Sequence, residues 1–304
     1  MAKSLPDRSN LTRYAWLSVA VAVLTIALKT VAYLLTGSVG LLSDALESIV
    51  NLVGAMMALA MLTIAARPAD KNHAYGHSKA EYFSSGVEGT LILIAAASIA
   101  FAAVERLINP KPLEQIGIGL IVSVVASAAN LGVALVLRRV GKQYNSITLT
   151  ADSKHLMTDV WTSVGVIVGV GAVALIRWQP LDSIVAILVA INIINTGYKI
   201  VKDSVSGLMD SSISSEDLKV VDGVLKTHAV QEIKFHALRT RQSASVKFIS
   251  MHVLVPPAWT VEAGHKLVNQ IEEELRNAIP GSMVLTHLEP LNDPTSYDEM
   301  DFYQ

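Results

Sequence analysis

Six long apolar segments occupy the first two thirds of the chain, and each is long enough to cross a membrane. A spanning helix needs about 20 consecutive, mostly apolar residues. Gly37, Pro110 and Pro180 mark three of the connections between the segments. The pattern therefore predicts six transmembrane helices, at residues 16–35, 39–65, 82–108, 118–137, 149–175 and 184–205.

The pattern changes after residue 209, where charged residues return at the density of a soluble domain. Apolar residues at helical spacing in 214–228 and a capping Thr260 ahead of 261–278 predict two helices. Residues 233–240, 246–255 and 283–287 are typical of strands. The order αββαβ predicts a small α+β domain with its helices on one face of the sheet. We place the domain boundaries at 1–209, 210–290 and 291–304.

Composition agrees with a membrane protein and limits its chemistry. The chain of 304 residues is 52% hydrophobic and 16% charged, whereas a soluble domain carries about 25% charged residues. Its net charge of −2 without a basic stripe argues against a nucleic-acid partner. Since the chain has no cysteine, any metal must be held by histidine, carboxylate, amide, backbone or water ligands.

Basic residues predict the orientation, because cytoplasmic loops carry an excess of lysine and arginine. The opposite loops contain little beyond Arg106, Lys111 and Arg177. Both termini and the α+β domain are therefore predicted to be cytoplasmic. The basic residues that favour this side are Lys3, Arg8, Arg13, Arg67, Lys71, Lys79, Arg138, Arg139 and Lys142.

Two pairs of polar residues interrupt the apolar spans. Glu47 and Asn51 lie four residues apart in span two, and His155 and Asp159 lie four apart in span five. Four residues make about one helical turn, so each pair shares one face of its helix. Because ionisable groups inside a membrane usually serve a transported ion, two such faces in contact would form a tetrahedral nitrogen and oxygen site. This arrangement predicts a metal transporter.

Three motifs resemble the cation diffusion facilitator family over almost the whole chain. Residues 68–81, PADKNHAYGHSKAE, resemble the family stretch P-x-D-x-x-H-x-[YF]-G-H-x-K-x-E; HxxxD at 155–159 and LRTRQS at 238–243 are the others. The resemblance implies an α-helical membrane protein, with six transmembrane helices followed by a small cytoplasmic αββαβ domain. It also implies a homodimeric antiporter that lies in the bacterial inner membrane, surrounded by lipids, and exchanges divalent metal ions for protons. By the same resemblance, the protein is not expected to be an enzyme.

The resemblance assigns Glu47, Asn51, His155 and Asp159 to the transport site. Family members usually have aspartate at the position of Asn51, so the amide leaves two carboxylates to balance a divalent ion. The transported and regulatory ion is expected to be Zn²⁺, with Fe²⁺ or Mn²⁺ favoured by additional oxygen ligands. Asp44, three residues before Glu47, is an alternative oxygen ligand.

Further metal sites are expected on the cytoplasmic side. Asp70, His73 and His77 place one oxygen and two nitrogen donors on the loop between spans two and three. By the resemblance, Lys79 pairs with Asp210 in a salt bridge that holds the dimer. The resemblance also implies a binuclear zinc site in the cytoplasmic domain, built from His236, His252, His265, His287 and Glu289. The acidic residues of the tail, Asp298, Glu299 and Asp301, are expected to be solvated.

Proton coupling follows from the ligands, since metal binding requires them deprotonated. His155 is the expected main proton exchanger.

Other functions fit the sequence less well. An intramembrane protease would need a motif such as H-E-x-x-H, which the sequence lacks. A channel is disfavoured because four convergent ligands would bind an ion too tightly for rapid permeation. A metal-sensing or assembly protein with weak transport remains an alternative because of Asn51. The role of Glu88 in span three is open between helix packing and a proton path.

Overall fold

The computed structural model describes residues 11–36, 39–109, 117–176, 180–229 and 232–297. They form two compact units, one ending at Val205 and the other beginning at Ser206. The helices and strands within the described residues are α1 Thr12–Thr36, α2 Val39–Ala65, α3 Ala80–Ile108, α4 Gly117–Gln143, α5 Ile147–Ile176, α6 Pro180–Leu208, α7 Ser215–His228, β1 Lys234–Ser243, β2 Val246–Val255, α8 Val261–Ala278 and β3 Ser282–Pro290.

The first unit contains the six predicted membrane helices. They are 25 to 30 residues long, which at 1.5 Å per residue gives about 38 to 45 Å, more than the ~30 Å of a bilayer core. Within the described residues, four segments are long and apolar enough to cross a membrane: Thr12–Leu34, Ala80–Ile108, Val124–Gln143 and Ser183–Leu208. The predicted fold class is confirmed.

Glycines bring α3 and α6 into close contact. A Cβ atom added to Gly89 would lie 2.9 Å from methyl carbons of Ile200 and Val201. A Cβ atom on Gly197 would lie 2.9 Å from Leu93 and 3.1 Å from the carbonyl oxygen of Gly89. Small residues at a helix interface allow backbones to approach closely, which is how membrane helices gain packing contacts. This packing fixes α6 against α3.

A buried carboxylate anchors the start of α5 to α3. Glu81 is fully buried, and its Oε2 accepts a hydrogen bond of 2.5 Å from Ser146 Oγ and one of 3.4 Å from the backbone N–H of Thr148. The Ser146 hydroxyl oxygen in turn accepts from the N–H of Leu149. A negative charge at a helix N-terminus is favourable because the unpaired N–H groups and the helix dipole point at it. The contact therefore positions α5, which carries His155 and Asp159.

The second unit is the predicted α+β domain. Its sheet has the order β1-β2-β3, with β1 and β2 antiparallel and β2 and β3 parallel. Ile249, Met251 and Val253 of β2 lie in the core with the helices. Because side chains alternate along a strand, His252 faces the opposite side of the sheet. Thr260 caps α8 as predicted, its hydroxyl oxygen accepting a 3.2 Å hydrogen bond from the N–H of Ala263.

Candidate metal sites

The structure brings together three of the four residues expected to form the transport site. Nε2 of His155 lies 2.8 Å from Oδ1 of Asn51, and Nδ2 of Asn51 donates a hydrogen bond to Oδ2 of Asp159. An amide oxygen can only accept, so Nε2 of His155 carries the hydrogen in this geometry. Asn51 of α2 thus joins both polar residues of α5 within the bundle.

The fourth expected ligand, Glu47, and the alternative ligand, Asp44, both lie on α2, but their side chains are outside the described part of the structure. Glu47 precedes Asn51 by one helical turn, so the two Cβ atoms are on the same helix face. The role of either carboxylate as a ligand stays a prediction from the sequence.

A residue of a third helix also contacts the site and was missed in the sequence. Asn130 of α4 is buried, and its Nδ2 donates a 3.2 Å hydrogen bond to Oδ2 of Asp159. That oxygen therefore accepts from two amides, one on α2 and one on α4, which fixes the orientation of the carboxylate. The one indication of Asn130 in the sequence is that its amide interrupts the apolar span 118–137. The sequence alone does not show which face of the helix the amide occupies.

Asp70, His73 and His77 form a cluster in the loop before α3. Oδ1 of Asp70 lies 3.4 Å from Nδ1 of His73, and Oδ2 lies 3.4 Å from Nε2 of His77. Asp70 Oδ1 also accepts hydrogen bonds from the backbone N–H groups of Asn72 and His73. Gly76, with φ +83°, completes the turn in a conformation that favours glycine. One oxygen and two nitrogen donors thus converge as the sequence spacing suggested.

The charge on Asp70 is expected to strengthen metal binding in the loop cluster. The hydrogen bond from the His73 backbone N–H lowers the pKa of Asp70 below its usual value, so the carboxylate stays ionised in more acidic solution than an ordinary aspartate does. Asp70→Asn keeps the size of the side chain but removes the charge, so the zinc affinity of the full-length protein should fall. Zinc titrations of the wild type and the variant measure the difference. Equal affinities in the two proteins would contradict a role for Asp70 as a metal ligand.

The register of the sheet assembles a second cluster in the α+β domain. His236 of β1 pairs with His252 of β2, which pairs with His287 of β3, so the three histidines form a row across one face. Oε2 of Glu289 lies 2.8 Å from Nε2 of His236 and 3.2 Å from Nδ1 of His252, while Nε2 of His287 is 3.6 Å from Oε1. Directly after His236 the strand register shifts at Ala237, which has φ +50°.

The donors of this cluster fit zinc. Imidazole nitrogens and a carboxylate oxygen are ligands that zinc prefers, and Nδ1 of His236 is buried without a hydrogen-bond partner in the described residues. His236, His252 and Glu289 would hold the ion, with His287 at the rim, and the ion would supply a cross-link between strands. His265 lies apart from the cluster: it is exposed on α8, with Nε2 2.9 Å from Nδ2 of Asn269. Its place in a zinc site stays a prediction.

Zinc is expected to raise the melting temperature of the cytoplasmic domain through this cluster. At a free concentration 100 times the Kd, binding stabilises a folded domain by about 2.7 kcal/mol. His236→Ala should abolish most of the zinc-induced rise, which scanning calorimetry of the full-length protein measures. The matched control is His228→Ala, since His228 contacts Glu274 outside the cluster and its loss should leave the rise intact. An undiminished rise in His236→Ala would contradict the assignment.

Other charged residues occupy defined positions. Glu88 of α3 and Asp152 of α5 are buried and accept hydrogen bonds from Ser84 and Ser18, at 3.4 and 3.1 Å. Asp152 was not singled out in the sequence.

Asp210 forms an ion pair within the second unit. Its Oδ1 lies 3.1 Å from Nη1 of Arg241. The predicted pairing of Asp210 with Lys79 would join the two units and stays a prediction.

Comparison with known proteins identifies the family. The pattern of the cation efflux transmembrane domain matches residues 15–209, and that of the cation efflux protein cytoplasmic domain matches residues 213–291. The chain therefore belongs to the cation diffusion facilitator family of membrane transporters, which confirms the resemblance found in the sequence.

The chain is similar to curated proteins over almost its full length. The Synechocystis protein named uncharacterized transporter sll1263 is 50% identical over 288 residues, covering 95% of this chain and 93% of the relative. The cation-efflux pump FieF of Escherichia coli strain K12 / DH10B is 28% identical over 280 residues, and that of Shigella flexneri is 27% identical over 279 residues. Each of these two alignments covers 92% of this chain and 92% of the relative.

Proposed function

We propose that the protein exports divalent metal ions from the cytoplasm across the bacterial inner membrane, in exchange for protons. The observation that carries the proposal is the contact of Asn51 with both His155 and Asp159 inside the helical bundle. Membership of the cation efflux family and similarity to proteins named cation-efflux pumps support the outward direction of metal transport.

The ligand set supports a divalent ion as substrate. His155 offers a nitrogen, Asn51 an amide oxygen, and Asp159 together with Glu47 would supply two negative charges that balance the ion. Three oxygen donors and one nitrogen donor suit Zn²⁺ and extend the range towards Fe²⁺ and Mn²⁺, which favour oxygen more strongly.

Proton exchange requires the empty site to carry one more proton than the metal-bound site. A metal that takes Nε2 of His155, which faces the Asn51 oxygen, needs that nitrogen without a hydrogen, and a neutral imidazole can meet this need by moving its hydrogen to Nδ1. After the metal leaves on the far side, His155 would therefore take up a second proton, return inward as the imidazolium and release that proton when the next metal binds. Alternating access would therefore couple outward metal movement to inward proton movement.

The cytoplasmic domain would join two copies of the chain and sense metal. The match to the family's cytoplasmic domain supports a homodimer, and the His236, His252 and Glu289 cluster would hold a regulatory zinc ion. The Lys79 and Asp210 pair would stabilise the dimer near the membrane surface. With an even number of spans, both termini would lie on the same side, and the basic loops would place that side in the cytoplasm.

The choice of ion and the role of Asn51 are tested by uptake into liposomes across a pH gradient, with zinc, iron(II), manganese(II) and cadmium compared. Wild type should move at least one ion. Asn51→Asp adds a third carboxylate, so the KM for that ion should fall by roughly tenfold, equivalent to about 1.4 kcal/mol of added attraction. The same substitution removes the amide donor to Asp159, so kcat should also fall.

One outcome would favour the second candidate function, a metal-sensing or assembly protein with weak transport. Asn51 already hydrogen-bonds the ligands that a metal would need, which is the observation in its favour. If wild type moved no ion and Asn51→Asp restored movement, the natural site would be defective and sensing would become the better explanation. Asn51→Ala serves as the control, because it removes the amide without adding charge.

A further inference from the structure

A cavity of about 310 Å³ lies between α4, α5 and α6, on the predicted cytoplasmic side of the membrane unit. It is separate from the Asn51, His155 and Asp159 contact. The lining residues that matter here are Arg138 and Lys142 of α4, Lys154, Met157 and Trp161 of α5, and Asn192 of α6.

The cavity has a strongly positive lining. Arg138, Lys142 and Lys154 line it, and none of the described lining residues carries a carboxylate. Lys154 also interacts electrostatically with Asp203 and Lys199 of α6, so the surrounding charge remains positive. Such a lining would repel a divalent cation, which argues against the cavity as the metal entrance, and it is complementary to an anion.

The lining changes from charged to uncharged along the helices. Arg138 and Lys142 lie near the end of α4, and Lys154 lies about 10 Å along α5 from its start. Trp161 lies about 21 Å along the same helix and is 51% exposed, with Met157 one turn before it. The wall is cationic near the membrane surface, and at greater depth it is uncharged, with the apolar Met157 and Trp161 beside the polar Asn192. This matches a lipid, which has an anionic head and apolar chains.

We propose that this cavity binds the headgroup of an anionic phospholipid. The phosphate would lie against Arg138, Lys142 and Lys154, and the chains would run past Met157 and Trp161. Basic pockets between membrane helices on the cytoplasmic side are suited to such headgroups. The uncharged depth of the cavity, with Met157 and Trp161 in its wall, favours a lipid over soluble phosphate, which has no chains to place there.

Two exposed arginines in adjacent positions allow a matched test. Arg138 lines the cavity, whereas Arg139 is exposed on the same helix turn and does not line it. Arg138→Gln and Arg139→Gln make the same change in net charge and should both fold. Native mass spectrometry of the full-length protein, titrated with phosphatidylglycerol or phosphatidylcholine, measures lipid binding to each.

Arg138→Gln is expected to weaken phosphatidylglycerol binding roughly fivefold, since one basic residue near the membrane surface contributes about 1 kcal/mol. Arg139→Gln should change it less than twofold, and phosphatidylcholine binding should respond to neither. Equal losses in the two variants would mean general surface attraction and would overturn the proposal. Displacement of phosphatidylglycerol by millimolar inorganic phosphate would also overturn it, in favour of a soluble anion.

Discussion

Replacing Asp159 with asparagine is expected to reduce metal transport by at least about 100-fold. The change keeps the shape of the side chain but removes the negative charge that Asn51 and Asn130 hold in place. Loss of a residue that merely supports a metal ligand typically lowers affinity or activity 10- to 100-fold, so loss of the charged ligand itself should exceed that range. Initial rates of metal uptake into liposomes measure the effect.

The matched control is Asp152→Asn, the same chemical change seven residues earlier on α5. Asp152 is buried and hydrogen-bonded to Ser18, and asparagine keeps an oxygen that accepts this bond. Transport by Asp152→Asn should fall less than tenfold. Equal losses in the two variants would indicate that transport needs both carboxylates alike, and the loss in Asp159→Asn would no longer identify Asp159 as a ligand.

His155→Ala is expected to abolish transport driven by a pH gradient, again by at least about 100-fold. The substitution removes both the nitrogen ligand and the group that exchanges a proton with the metal, whereas supporting residues account for 10- to 100-fold. Uptake is measured with and without an imposed gradient. Residual uptake that still accelerates with the gradient would identify another proton carrier.

Asn130→Ala provides the comparison for His155. Asn130 orients Asp159 but contributes neither the nitrogen ligand nor the exchanged proton. Its loss should slow uptake roughly 10- to 100-fold while the dependence of the rate on the pH gradient stays as in wild type. The two variants therefore separate the positioning of a ligand from proton exchange.

The sequence predicted which helix faces would meet, but not every residue that meets there. Spacing of four residues placed His155 and Asp159 on one face of α5, and both contact Asn51. Asn130 was missed because a lone amide in an apolar span has no periodicity that indicates its partner. The capping of α5 by Glu81 was missed for a related reason: it joins residues 65 positions apart.

For the histidines of the cytoplasmic domain, too, the sequence predicted the strands but not which side chains would come together. Strand positions were predictable from composition, and the bounds of β2 and α8 match the predicted ranges. The row of His236, His252 and His287 depends on strand register, which single strands do not reveal. His265 lies on a helix, so strand register cannot bring it to the row, and its place in a zinc site stays a prediction.

The most direct test of the central claim is a simultaneous record of metal and proton movement by the wild-type protein in liposomes. Metal uptake should be accompanied by proton movement in the opposite direction, and a pH gradient that drives protons outward should make uptake faster than at equal pH on both sides. Metal movement without any proton signal, at the same rate with and without the gradient, would contradict antiport through the His155 and Asp159 site.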